Sequence, residues 1–218
     1  MIPTSANADL LPDVKMTEHR RQWMERILNF RTRHFTMVLE DLYDPHNISA
    51  VIRTSEVFGL QDAHIIEEVN PYNVNKSILK GAIKWMDLHL YQQRQTCFTR
   101  LKELGYTIAV ASTNTENSVL DLDLSKPTAF YLGSEYHGNH PDTLAQADAH
   151  FKLPQYGVTE SMNVSVAAGV LMTYLDMYMQ KVGRQSLTLD EDAKNALRKQ
   201  WYMRQVEGME KHSPITRW

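Results

Sequence analysis

Cysteine is nearly missing from this chain: Cys97 is the sole one in 218 residues. A disulfide framework and an all-cysteine metal site are thereby excluded, and a reducing compartment fits. Glycine (9) and proline (8) are too sparse for collagen-like or low-complexity sequence. Long hydrophobic runs are lacking as well. The longest apolar stretch, Val164 to Leu175, is interrupted by Ser165 and Thr173 and falls far short of the roughly 20 residues that span a bilayer. Met1 to Pro12 holds no basic segment followed by an apolar run, so no signal peptide is expected. The chain reads as cytoplasmic, with no membrane partner.

What is present is ordinary for a globular protein: 43% apolar and 22% charged residues, enough to bury a core in one domain, with or without arms. The net charge of −3 is unevenly spread. Residues 1–35 hold six Lys/Arg against four Asp/Glu, and residues 176–218 hold eight against six. The middle is acidic. Basic ends on an acidic body fit either two solvated amphipathic helices or a nucleic-acid contact.

Periodicity predicts a helix from Thr17 to about Arg31, a strand Phe35–Leu39, and a helix that starts near Asn47 as N-cap and stops at Gly59. A strand His64–Val69, a short helix Lys76–Lys84, a strand near Leu88 and a helix Thr96–Leu104 come after it. Strands Tyr106–Ala111 and Thr128–Leu132, a short helix Pro141–Ala147 and a short strand His150–Leu153 come next. Ser161 is expected to open a long helix to about Lys181, and Leu189–Val206 reads as a last amphipathic helix. Alternating strands and helices define an α/β protein, a parallel sheet with helices on both faces. The ligand crevice of such a sheet lies outside the carboxyl ends of its strands, here the loops after Ala111, Leu132 and Leu153.

Three segments carry chemistry. In Asn47–Gly59, Ile48, Val51, Ile52, Ser55 and Phe58 share one helical face, and Arg53 lies roughly 165° from its centre. In Leu132–Gly138, a glycine-flanked turn at a strand end lets a ligand approach the backbone. In Leu153–Gly169, Ser161 and Asn163 precede a helix apolar nearly all round, which should be buried. No dinucleotide fingerprint, Walker loop, G-x-S-x-G elbow or H-E-x-x-H is present. His137, His140 and Glu135 make only a weak case for zinc, and no metal is expected.

Together, N-x(5)-R-T-x(4)-G, G-x-E-x-x-G and L-P-x(6)-S-x-N-V-S-V-A-A resemble the TrmH (SpoU) family of RNA ribose 2′-O-methyltransferases in the SPOUT superfamily, over about residues 17–205. The resemblance implies a basic N-terminal helical arm (1–34), a methyltransferase domain (35–182) with a C-terminal deep trefoil knot in about 130–182, and a C-terminal helical arm (183–218). It implies S-adenosylmethionine as cofactor, held by Gly133, Leu153, Met162 and Ser112, and a homodimer packed through the knot helices. The flanking helices look most like those of members that act on tRNA, at guanosine-18 of the D-loop.

Arg53 matches the family's essential arginine, as general base aided by a substrate phosphate or as a cation stabilising the developing alkoxide. Free arginine titrates above about 12, which makes the first role awkward. Asn47 matches the asparagine that helps hold it. Glu135 and Asn163 match polar positions shaping the same pocket, and Ser161 supports the cofactor loop. His46 matches an RNA contact, and Arg20 and Arg31 match basic positions that grip phosphates. Met162 stands where leucine is usual, and Trp23 and Met177 stand where tRNA-directed relatives usually carry arginine. Those departures bear on the target RNA: the same reaction on another tRNA nucleotide or on ribosomal RNA is the alternative. A non-catalytic RNA-binding relative is a further one.

Overall fold

A computed structural model describes residues 17–73, 75–79, 81–206 and 215–218. Parts of both expected arms, 1–16 and 207–214, lie outside the described residues. The order is α1 (Glu18–Leu28), β1 (Phe35–Glu40), α2 (Pro45–Val57), β2 (Asp62–Ile66), α3 (Lys76–Leu79), β3 (Asp87–Tyr91), α4 (Arg94–Glu103) and β4 (Thr107–Ala111). Then come β5 (Thr128–Leu132), α5 (Pro141–Gln146), β6 (Ala149–Phe151), α6 (Val164–Val182), α7 (Glu191–Val206) and β7 (Ile215–Arg217).

The seven strands are all parallel, in the order β6-β4-β5-β1-β2-β3-β7. Side-chain alternation divides each central strand between two cores, as a period of two requires. Phe35, Met37, Leu39, Phe130 and Leu132 face Ile48 and Ile52 of α2 and Leu171 and Leu175 of α6. Val38, Tyr131, Ile108 and Val110 face Cys97 and Leu101 of α4. A third, small core joins Met24 and Leu28 of α1 to Leu197, Trp201 and Tyr202 of α7. Helices thus cover both faces, as the alternation of elements predicts. No helix among the described residues is long and apolar enough to cross a membrane.

Several boundaries differ from expectation, each for a local reason. Asp44, not Asn47, caps α2: its carboxylate accepts from the His46 N–H, and Pro45 takes the first helical position. Asn163, not Ser161, caps α6, accepting from the N–H groups of Ser165 and Val166. Strand β2 begins two residues earlier than the apolar pattern suggests, because the buried Asp62 is a polar residue inside it, and it ends three residues earlier, at Ile66. The last strand, β7, has no signature that periodicity detects in three residues. Helix α6 buries only one side, through Val164, Ala168, Leu171, Met172, Leu175 and Met179, while Val166 and Met177 are exposed.

The buried His64 makes stability depend on pH. Its ring stacks on His89 at 4.6 Å and its Nδ1 lies 3.0 Å from the Tyr91 hydroxyl. Burial, then the neighbouring His89, pushes its pKa down to about 3; Asp62 opposes and Arg100 adds to the lowering. An unfolded chain protonates this histidine below about pH 6.5 and the native state does not. Stability from this group is therefore present at neutral pH and is lost progressively as pH falls from about 6.5 toward 3. At pH 5 the loss is about 2 kcal/mol. Urea unfolding at pH 7 and pH 5 checks it: His64→Gln is expected to flatten the pH dependence by that amount, and parallel profiles would count against it.

Candidate active site

The carboxyl ends of β4, β5 and β6 open onto one cavity of about 430 Å³, a size suited to a small-molecule cofactor. Its walls come from three loops, after β4, after β5 and between β6 and α6. These are the loops after Ala111, Leu132 and Leu153. All four residues expected at the cofactor, Gly133, Leu153, Met162 and Ser112, line the cavity, as do Glu135, Ser161 and Asn163.

At Gly133 two backbone segments meet. A Cβ there would sit 2.2 Å from Asn139 N and Gly138 C, so the position admits only glycine. Ser134 and Gly138 close the turn by exchanging N–H···O bonds of 3.0 and 2.8 Å. Glu40, at the end of β1, anchors the start of α5: its carboxylate accepts from Thr143 Oγ1 at 2.6 Å and from His140 N at 3.0 Å. Burial raises the pKa of this carboxyl, against those hydrogen bonds.

A chain of amides joins the three sequence segments. Asn163 Nδ2 donates to Asn47 Oδ1 at 3.1 Å, and Asn47 Nδ2 donates to Glu135 Oε1 at 2.7 Å. The Tyr43 N–H donates to Glu135 Oε2 at 3.0 Å. Motif residues 88 and 116 positions apart are thus fixed in one network that sets the cap of α6, the start of α2 and the β5 loop relative to one another.

Sequence reasoning missed Asn139. Its side chain is buried; Nδ2 donates to the Ala111 carbonyl at 2.8 Å, tying the β4 and β5 loops together. Its Oδ1 is buried at the cavity without a hydrogen-bond partner among the described residues. An unpaired buried amide oxygen is costly, so a donor on a bound ligand is the natural complement. Nothing in the residue pattern marks it; only burial does.

The cationic residues do not converge on this cavity. Arg53 follows Asn47 by six positions on α2, about 9 Å along the axis and about 120° around it. Its side chain is exposed, has its single hydrogen bond among the described residues with the Ile78 carbonyl at 3.4 Å, and lines a separate groove. Asn47 therefore holds Glu135 and Asn163 rather than the arginine. Arg31, expected to grip phosphate, is fully buried. It donates to Gln61 Oε1 (2.8 Å), the Glu56 carbonyl (3.0 Å) and the Trp85 carbonyl (2.8 Å), and lies over Trp201. Burial lowers its pKa to about 10 against the pull of Glu56, so it is a charged structural pin at neutral pH. Arg20 is exposed on α1, bonded to Gln205, and His46 is exposed beside Asp44 at the start of α2. His140 caps α5 by accepting from the Asp142 N–H. Among the described residues no three His, Cys, Asp or Glu side chains group as metal ligands.

A doubly covered parallel sheet with a ligand cavity at its strand ends, closed by one amide network, defines a small-molecule-binding α/β protein. Comparison refines this class. Residues 34–173 match the SpoU rRNA Methylase family, and the chain belongs to that family. It is 36% identical over 193 residues to the tRNA (guanosine(18)-2′-O)-methyltransferase of Borreliella burgdorferi, covering 88% of each chain. Its fold matches the crystal structure of the Aquifex aeolicus TrmH/SpoU tRNA modifying enzyme with a TM-score of 0.76 at 24% identity, over 85% of this chain and 98% of that one. It also matches the SpoU methyltransferase AviRb of Streptomyces viridochromogenes, solved with AdoMet, with a TM-score of 0.63 at 16% identity, over 70% and 63%.

Proposed function

We propose that this chain methylates the ribose 2′-oxygen of guanosine-18 in tRNA, using S-adenosylmethionine, in the cytoplasm. The observation that carries the reading is the convergence of Gly133, Leu153, Met162, Ser161 and Asn163 on one cavity, in a chain so similar to a relative of that name. The cavity fits the cofactor: backbone of the three loops and the Asn139 Oδ1, unpartnered among the described residues, would supply its polar contacts, and Leu153 and Met162 its apolar ones. When bound, its sulfonium supplies an activated methyl group. The protein then has to orient the ribose hydroxyl and accept or stabilise what its deprotonation leaves. Glu135, Asn47 and Asn163 hold the pocket floor in register. Arg53 faces the acceptor, as proton acceptor or as the charge that stabilises the alkoxide.

Two further features belong to this reading. Segment 130–182 is threaded as a knot in the manner of the family. A homodimer covers the outer side of α6, where Val166 and Met177 are exposed; within one chain Arg53 lines a groove apart from the cofactor cavity, and a second copy is what reunites the two. The test is transfer of labelled methyl to a tRNA transcript, with a second transcript substituted at guanosine-18. Label at that ribose, lost from the second transcript, is expected. Label elsewhere overturns the target, and no label on any RNA overturns the reaction.

A further inference from the structure

The groove beside Arg53 holds about 840 Å³ and is lined by residues of α1, the end of α2, Leu79, Gly81, Ala82 and Trp85. Two of its aromatic side chains are open to solvent, Trp23 at 45% and Phe30 at 43% exposure. Trp23 is not a loose ornament. It meets Trp85 edge-to-face at 5.9 Å, and Trp85 meets the buried Trp201 edge-to-face at 5.3 Å. Three tryptophans thus run from the α1–α7 core to the surface, and the outermost is held in place by the other two.

The charge in the groove is one-sided. Glu56 is engaged by Arg31 and Asp176 by Arg184. Arg26 and Arg53 are exposed and, among the described residues, have no carboxylate partner. A pre-positioned aromatic surface next to unpaired arginines is the composition that binds single-stranded nucleic acid: bases stack on the rings while cations take the phosphates. An apolar protein partner would leave two guanidinium groups facing it without an anion.

We infer that this groove seats an unpaired nucleotide of the RNA substrate, with its base stacked on Trp23 and its flanking phosphates at Arg26 and Arg53. This rests on the RNA methyltransferase reading above. A consequence is that the stack on Trp23 replaces part of the grip that a surface cation supplies, so the share of affinity due to Trp23, unlike that of Arg26 and Arg53, depends little on salt.

The test measures binding of an unmodified tRNA transcript by polarisation across about 50 to 200 mM salt. Trp23→Ala is expected to weaken binding about tenfold or more with an unchanged slope of log affinity against log salt. Trp23→Tyr restores most of the affinity, since a smaller ring still stacks. Arg26→Ala lowers the slope by about one unit. tRNA quenches tryptophan emission in the wild type, and the Trp23→Tyr protein loses that quench. Affinity for S-adenosylmethionine and sedimentation stay at wild-type values in all three variants. Trp23→Ala binding as the wild type does, or no rescue by tyrosine, overturns the proposal. So does a change in sedimentation, which would mark the groove as a contact with a second copy. Methyl transfer by the wild type is assayed in parallel: if it proceeds while Trp23→Ala is neutral, only the stacking site falls; if the wild type neither binds nor methylates RNA, both readings fall.

Discussion

Arg53→Ala binds S-adenosylmethionine as tightly as the wild type and transfers methyl to tRNA at least about a hundredfold more slowly. The separation comes from placement. The cofactor cavity is built by the loops after β4, β5 and β6, and Arg53 lines none of it. Among the described residues its side chain makes one weak hydrogen bond, to the Ile78 carbonyl, so removing it leaves little unpaired and the fold intact. On the proposed function, what is lost is the group that would handle the developing charge on the ribose oxygen, an interaction made only as the reaction proceeds, so the turnover rate falls and cofactor affinity does not. Arg53→Lys keeps a charge but not the planar fork of donors, and it too is expected to be slow. Calorimetric titration of cofactor and single-turnover methyl transfer make the comparison; loss of both in proportion would place Arg53 in the cofactor pocket instead.

Gly133→Ala acts in the opposite sense and abolishes cofactor binding outright. The new methyl would lie 2.2 Å from two backbone atoms and 2.4 Å from the Gly138 carbonyl oxygen, contacts that no side-chain rotation relieves. The Ser134–Gly138 turn must open or β5 must shift, and either displaces Asn139 from the Ala111 carbonyl. Overpacking of this kind costs about 1–3 kcal/mol, so a fall of several degrees in Tm accompanies the lost binding. Thermal unfolding with and without S-adenosylmethionine reads both at once: the wild type is raised by ligand and the variant is not. A variant still stabilised by ligand would show that the loop yields, and that the close approach at Gly133 is not what shapes the pocket.

Much of this architecture can be read from residues in order, and the exceptions share a cause. Thr128–Leu132 is found to the residue, because a central strand buried on both faces is a continuous apolar run. The loops that line the cavity are found because ligand crevices lie at strand ends. What escapes is buried polarity. Arg31 reads as a surface cation until Gln61, Glu56 and Trp85 are seen to surround it. Asp62 breaks the apolar pattern of β2 although it lies inside it. Asn163 looks like a pocket residue and is also the helix cap, while Ser161 looks like the cap and lies on the cavity wall. In each case the partner that decides the role is remote in sequence, and local pattern carries no record of it.

The strand order has a consequence for how the protein comes to exist. Phe35 of β1 pairs with Thr128 of β5, so the centre of the sheet closes a loop of more than ninety residues. Pairings this distant form slowly, since the chain loses loop entropy before the contact rewards it. During synthesis β1, β2 and β3 emerge with one edge of β1 open, and all six residues of that strand are ones the finished fold buries. It stays open until β5 arrives. Asn163, which completes the amide network, is made later still. The nascent chain therefore passes through an interval with an exposed, aggregation-prone edge and no assembled cavity, and ligand present in the cell can stabilise only the finished molecule.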